Sequence, residues 1–195
     1  DSFLAEAVGK GLKGKQLYNA IPHRRMTATI YKNYPQGKIT VTDFLLGQYY
    51  LYEDALNSQE WNIESDSMKV VLGHECQKAT CSFRGRKWTA WFALDVPISD
   101  GPLKFCGLPG LIMEVYDRGK QYYFCINGMQ QVSATPITFG ILDKDFKHFQ
   151  KTDRKDFLLS KYRYLRNQNS INEASTGISL GSVDEALKYD LIEKE

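Results

Sequence analysis

The residues best equipped for chemistry are His74-Glu75-Cys76, with Cys81 close behind. A thiol beside an imidazole can form a nucleophile and base pair, if the ring reaches the sulfur. Imidazole and thiolate are also the ligands zinc prefers, four of them in a tetrahedron. The spacing argues against a single metal. On one strand through residues 74–83, His74 and Cys76 share a face and Cys81 points away. His74 and Cys76 therefore define a thiol- or metal-dependent hydrolase as the enzymatic alternative, and no catalytic residue, metal ligand or cofactor is assigned. Cys76, Cys81, Cys106 and Cys125 are an even, clustered set, open to two disulfides in any of three pairings. Four buried free thiols, packed as small apolar groups, are the other reading.

Other catalytic signatures are missing. No Gly-x-Ser-x-Gly elbow occurs. Gly107-Leu108-Pro109-Gly110 lacks the Lys and Ser/Thr of a phosphate loop. Glu64 with Asp66, and Asp143 with Asp145, read as solvated turns. The basic run from Lys144 to Arg166 is interleaved with Asp143, Asp145, Asp153 and Asp156, as on a solvated helix face. A net charge of +2 over 195 residues speaks against nucleic acid as a partner. No stretch reaches the roughly 18 apolar residues of a membrane span, so membrane contact is peripheral at most. The chain opens Asp1-Ser2-Phe3. It reads as a processed chain, and the lack of a leader says nothing against export.

The elements that must position these groups are mainly strands. The 12 Tyr, 10 Phe and 3 Trp favour β structure. Strands are expected at Thr27–Tyr31, Lys38–Thr42, Leu45–Tyr52, Trp61–Ile63 and Met68–Leu72. Cys76–Phe83 and Lys87–Val96 form a hairpin about Arg84-Gly85-Arg86, and Leu111–Asp117 and Gln121–Ile126 form another. Pro136 confines Val132–Phe139 to an edge. Residues 1–25 fit a loose helical arm weakened by Gly9, Gly11 and Gly14. A C-terminal helical part, 152–195, packs on the sheet. Its first helix is capped by Thr152 or Asp153 and presents Phe157, Leu158, Tyr162 and Leu165. A polar loop follows at 167–181, and a capping box at Ser182-Val183-Asp184-Glu185 opens a short last helix. The expectation is one α+β domain, 1–195: a curved antiparallel sheet or half-barrel with helices at both ends. Trp88 and Phe92 share a strand face that Trp91 does not, so one set lines the core and the other is free for a concave face. Trp88, Trp91, Phe92, Phe105 and Leu108 are the candidates for an apolar ligand face, with aromatic core as the other reading.

The run Gly101-Pro102-Leu103-Lys104-Phe105-Cys106-Gly107-Leu108-Pro109-Gly110-Leu111-Ile112 is the most distinctive. Pro102 and Pro109 fix φ, Gly107 and Gly110 permit close backbone approach, and Leu108, Leu111 and Ile112 pin the crossing to a core. Residues 107–112 spell the signature of the GLPGLI family of bacterial proteins, which this chain resembles. Flanking matches are Gly73, Cys76-Gln77-Lys78-Ala79, Phe83-Arg84-Gly85-Arg86, Ala90-Trp91-Phe92, Pro97-Ile98 and Trp61-Asn62-Ile63. They cover about residues 26–128.

The resemblance implies an exported protein of diderm bacteria, periplasmic or associated with the outer membrane, in a compartment where disulfides persist. The family is of largely unknown function and supplies no catalytic residues. Some members are linked to TonB-dependent outer-membrane transport. The expected function is thus a non-enzymatic binding or accessory role in the cell envelope. An outer-membrane transporter, another envelope protein or an apolar ligand would be the partner, met at a concave apolar face or an edge strand. The curved half-barrel of periplasmic lipoprotein carriers is an analogy of fold only.

Overall fold

The computed structural model describes residues 9–11, 27–133, 148–176 and 191–193. They form a mainly β protein of two sheets and one long helix. Sheet A has the order β1-β2-β3-β9, from Thr29–Lys32, Lys38–Leu45, Gln48–Ala55 and Gln150–Lys151. Sheet B has the order β4-β5-β6-β7-β8, from Asn62–Val71, His74–Phe83, Arg86–Ala93, Leu111–Asp117 and Tyr123–Cys125. Every pairing is antiparallel except β3 with β9. The expected single curved sheet is therefore two sheets, and they close no barrel among the described residues.

Three hairpins turn on two residues each: Leu46-Gly47, Leu72-Gly73 and Arg84-Gly85. Both residues of each pair have positive φ, between 49° and 82°, which matches the strand twist. Glycine takes this conformation without strain, so it holds the second position of each turn. The turn at Leu46-Gly47 also corrects the expected strand Leu45–Tyr52. An apolar run hid a turn that relies on one glycine. The expected strands at 61–63 and 68–72 merge into β4, which carries a bulge between Glu64 and Met68.

Helix α1 spans Arg154–Thr176. Asp153 Oδ1 accepts the Lys155 amide at 2.7 Å, as a helix cap does. Its inward face is Arg154 and Phe157, buried, with Lys161 and Tyr164, half-buried, at helical spacing. Phe157 packs on Tyr50 and Tyr52 of β3, with ring centroids 5.5 and 5.6 Å apart. Lys161 pairs at 2.5 Å with the buried Asp43 of β2. Tyr162, expected on this face, is exposed. The helix also continues through most of the expected loop at 167–181, because Asn and Ser there lower helix propensity without forbidding it. The arm at 1–25 beyond residues 9–11, the final helix from Ser182, and the edge strand at 132–139 beyond Ser133 lie outside the described residues.

The core is organised by the crossing between β6 and β7, residues 94–110. Sheet B offers it Ala79, Cys81, Phe83, Trp88, Ala90 and Phe92, and Phe105 and Leu108 of the crossing fill that face. The Phe105 ring meets Trp88 edge-on at 4.7 Å and Phe83 at 6.0 Å. Two glycines make the approach feasible. A Cβ on Gly101 would lie 2.8 Å from Ile112 Cβ, and one on Gly110 would lie 2.0 Å from the Ala93 carbonyl oxygen. The second clash is with backbone, which no rotamer relieves. Gly110→Ala is therefore expected to cost about 3 kcal/mol in urea unfolding. A loss below about 0.5 kcal/mol would show that the crossing does not need this contact.

Candidate functional site

The crossing is polar backbone held between two sheets, so each buried carbonyl requires a donor. Side chains from distant segments supply several. Lys32 of β1 donates to Gly101 O at 2.5 Å and Phe105 O at 2.8 Å, and also pairs with Asp100. Gln59 Nε2 donates to Lys104 O at 3.0 Å. Trp61 Nε1 donates to Cys106 O at 2.8 Å. Within the loop, Phe105 N donates to Pro102 O, and Ile112 N of β7 donates to Asp100 O.

The crossing also carries a buried ammonium. Lys104 Nζ lies 2.7 Å from Asp54 Oδ2, 2.6 Å from Glu193 Oε1 and 3.2 Å from Tyr52 Oη. The same two carboxylates serve two guanidinium groups. Arg84 Nη2 is 3.0 Å from Asp54, and Arg154 lies 3.6 Å from Asp54 and 3.4 Å from Glu193. Three cations thus share two carboxylates. Burial, reinforced by Glu193 and Asp54, pushes the Tyr52 phenol well above its ordinary range, so it remains a neutral acceptor and donor. These groups arrive from β3, the β5–β6 turn, the crossing, the first residue of α1 and the C-terminal segment. Charges at this depth cost several kcal/mol each to desolvate unless paired. The arrangement is a lock between segments.

Arg86 builds a second lock beside it. Its Nη1 lies 2.9 Å from Asp117 Oδ2 and 3.0 Å from Gln121 Oε1. Nε and Nη2 donate to the carbonyls of Ile192 and Leu191 at 3.0 and 2.9 Å. Ile192 packs against the core of sheet B. Residues 191–193 are therefore gripped at two carbonyls, one apolar side chain and one carboxylate.

The residues singled out from sequence are distributed otherwise. His74 Nδ1 lies 2.7 Å from Asp95 Oδ2, while Cys76 Sγ donates to the His74 carbonyl at 3.5 Å. The imidazole and thiol thus have separate partners. No group of three His, Cys, Asp or Glu among the described residues is placed to hold a metal. All four cysteines are free thiols in the structure, the second of the two readings the sequence leaves open, and three of them are buried. Cys76 and Cys81 belong to different core clusters on opposite faces of β5, Cys106 lies near Gln59 Oε1, and Cys125 is exposed on the outer strand. Trp88, Phe92, Phe105 and Leu108 are each 2% exposed or less. They are core, covered by the chain's own crossing, and do not line an open ligand face. Trp91 lies on the other face of the sheet, with the Lys69 ammonium 4.7 Å from its ring centroid.

Lys32, Asp54, Gln59 and Glu193 escaped sequence reasoning, and Arg154, expected on a solvated helix face, is buried. Lys104 left one signal, a lone cation between Leu103 and Phe105. The others sit in ordinary polar surroundings, and only tertiary contact distinguishes them.

Residues 84–114 match a family model described as a protein of unknown function (Porph_ging). That stretch runs from the β5–β6 turn through the crossing into β7, and includes Arg84, Arg86 and Lys104. No curated protein matches the chain. Among solved structures, two crystal forms of PNGF-II are similar, in the P21 and C2 space groups. Each has 15% identity and a TM-score of 0.42, covering 65% of this chain and 23% of that one. The chain thus spans less than a quarter of the length of those proteins.

Two outcomes check this geometry. Lys104→Met should destabilise the fold by about 3–5 kcal/mol in denaturant unfolding, because it leaves two buried carboxylates short of a partner. A change under about 1 kcal/mol would mean the lock does not hold the segments. Burial raises the Cys81 thiol from its ordinary 9.0 up to about 12. Its neutral form is therefore favoured by folding. The stability it contributes is complete below pH 9 and falls as pH rises from 9 toward 12. At pH 8, iodoacetamide should label Cys125 and spare Cys76, Cys81 and Cys106 until the chain unfolds. Labelling of Cys81 in the native protein would contradict its position.

Proposed function

We propose that this chain is a non-catalytic binding or accessory module of the cell envelope, and that it receives an extended segment of a partner along β4. One observation carries the reading. β4 is ten residues long and forms an edge of sheet B, with no strand on its outer side among the described residues. Its register places Ile63, Met68 and Val70 on the face that continues the core of the sheet. They are 41, 53 and 67% exposed. Natural proteins protect long edges with charges, bulges or cover, because an edge offers unpaired N–H and C=O groups to any strand. Here a bulge and Lys69 are present, yet the apolar row stays open. Main-chain pairing would supply affinity, and alternate side-chain pockets would supply selectivity.

An edge strand is favoured over a concave apolar face because the aromatic side chains that would line such a face are packed inside. The envelope setting, periplasmic or at the outer membrane, and a transporter as partner, draw support from the resemblance of Gly107–Ile112 to the GLPGLI signature. The cysteines lend it none, since all four are free thiols.

A photo-crosslinking residue at position 70, in cells that produce the chain, should capture one envelope protein. The same residue at position 87, exposed on β6, should not. Met68→Lys with Val70→Lys should abolish the adduct and leave stability within about 0.5 kcal/mol, as surface changes do. Equal capture from both positions, or none from position 70, would sink the reading.

A further inference from the structure

We infer that the groove occupied by residues 191–193 is a peptide-recognition site, separate from β4, for an extended segment that carries an aliphatic residue followed by a glutamate. The chain's own Leu191-Ile192-Glu193 fills it as a tethered ligand, and a partner's segment of this chemistry takes its place. These three residues belong to neither sheet nor to α1. Side chains of other segments hold them, as a binding protein holds a short peptide.

Arg86 reads the main chain. Its Nη2 and Nε donate to two successive carbonyls, Leu191 O at 2.9 Å and Ile192 O at 3.0 Å. Such bonds do not depend on side-chain identity, so they accept any extended backbone. The guanidinium is set in place from sheet B and its β7–β8 turn. Asp117 Oδ2 lies at 2.9 Å, Gln121 Oε1 at 3.0 Å, and the Tyr122 ring centroid 4.7 Å from Cζ. None of these partners belongs to residues 191–193. The reading group is thus positioned independently of the peptide, and binding costs little reordering.

Two positions select the sequence. Ile192, half-buried, packs against the core of sheet B, where a charged side chain would lose hydration without a partner. Glu193 lies 2.6 Å from Lys104 Nζ and 3.4 Å from Arg154 Nη1. Lys104 is buried, and its other partners are Asp54 and Tyr52. A buried ammonium requires close counter-charges. A peptide that replaces the chain's own segment must therefore bring a carboxylate to the position of Glu193.

The test adds an unlabelled peptide of residues 188–195 to the isotope-labelled full chain and follows the Ile192 methyl signals. A tethered segment competes at an effective concentration of about 1 mM. Saturable movement of these signals to those of a free side chain, half complete near about 1 mM peptide, is expected. Peptide carrying Glu193→Gln should need about tenfold more, the scale of one charge-assisted hydrogen bond. Peptide carrying Ile192→Asp should not displace the segment. Both changes are made in the peptide, so loss of folding cannot imitate loss of binding. Ile192 signals that stay in place at about 10 mM peptide would overturn the site and leave residues 191–193 a fixed part of the fold. Equal displacement by a peptide of scrambled order would overturn the motif. Full chain that sediments as a dimer, and as a monomer once peptide is added, would overturn a foreign partner in favour of exchange between two copies.

Discussion

The buried ammonium of Lys104 and the carboxylates of Asp54 and Glu193 make the rest of the fold mutually dependent. An ammonium enters a protein interior only if its lost hydration is replaced by close counter-charges and acceptors. Here they come from β3 and from the C-terminal segment, with Arg84 and Arg154 shared into the same pair of carboxylates. Removing one partner leaves the others buried and unbalanced. The lock therefore favours one arrangement of five segments more sharply than apolar packing alone would, since greasy surfaces can slide and paired charges cannot.

The crossing depends on that lock and also enables it. Phe105 and Leu108 fill the face of sheet B while Lys104, the residue before Phe105, reaches Asp54 and Tyr52 of sheet A. Its carbonyls take donors from Lys32, Gln59 and Trp61, so an irregular loop is buried with its backbone largely satisfied. Gly101 and Gly110 let this loop sit against β6 and β7 where no side chain would fit. The interior is thereby closed by the protein itself. Among the described strands, β4 keeps an open edge of sheet B.

Much of the strand layout was legible because alternation and glycine turns are local signals. Cys76–Phe83, Leu111–Asp117 and the turn at Arg84-Gly85 follow from period-two patterning around a residue that tolerates positive φ. That Trp88 and Phe92 share one face and Trp91 takes the other was equally local, while which face is inward was not. The merger of two short strands into β4, and the division into two sheets, were not legible. Both depend on which strand pairs with which, and a bulge at Glu64 changes register without changing composition. The site was less legible than the fold. His74 and Cys76 drew attention because of their types, yet the ring turns to Asp95 and the thiol to a carbonyl. Lys32 and Glu193 drew none, though they contact the crossing from 68 or more residues away.

By itself, the sequence determined the β character, the hairpins about Arg84-Gly85 and Arg118-Gly119, the glycines of the crossing and the absence of a long apolar span. Each of these is a property of neighbouring residues, set by backbone sterics and hydrophobic period. The tertiary structure alone decided that the conspicuous aromatics are core, that the thiols are apart, and that Asp54, Lys104, Arg154 and Glu193 converge. Those outcomes require charges distant in the chain to meet in a low-dielectric interior, where their energies depend on distance and burial that no local pattern encodes.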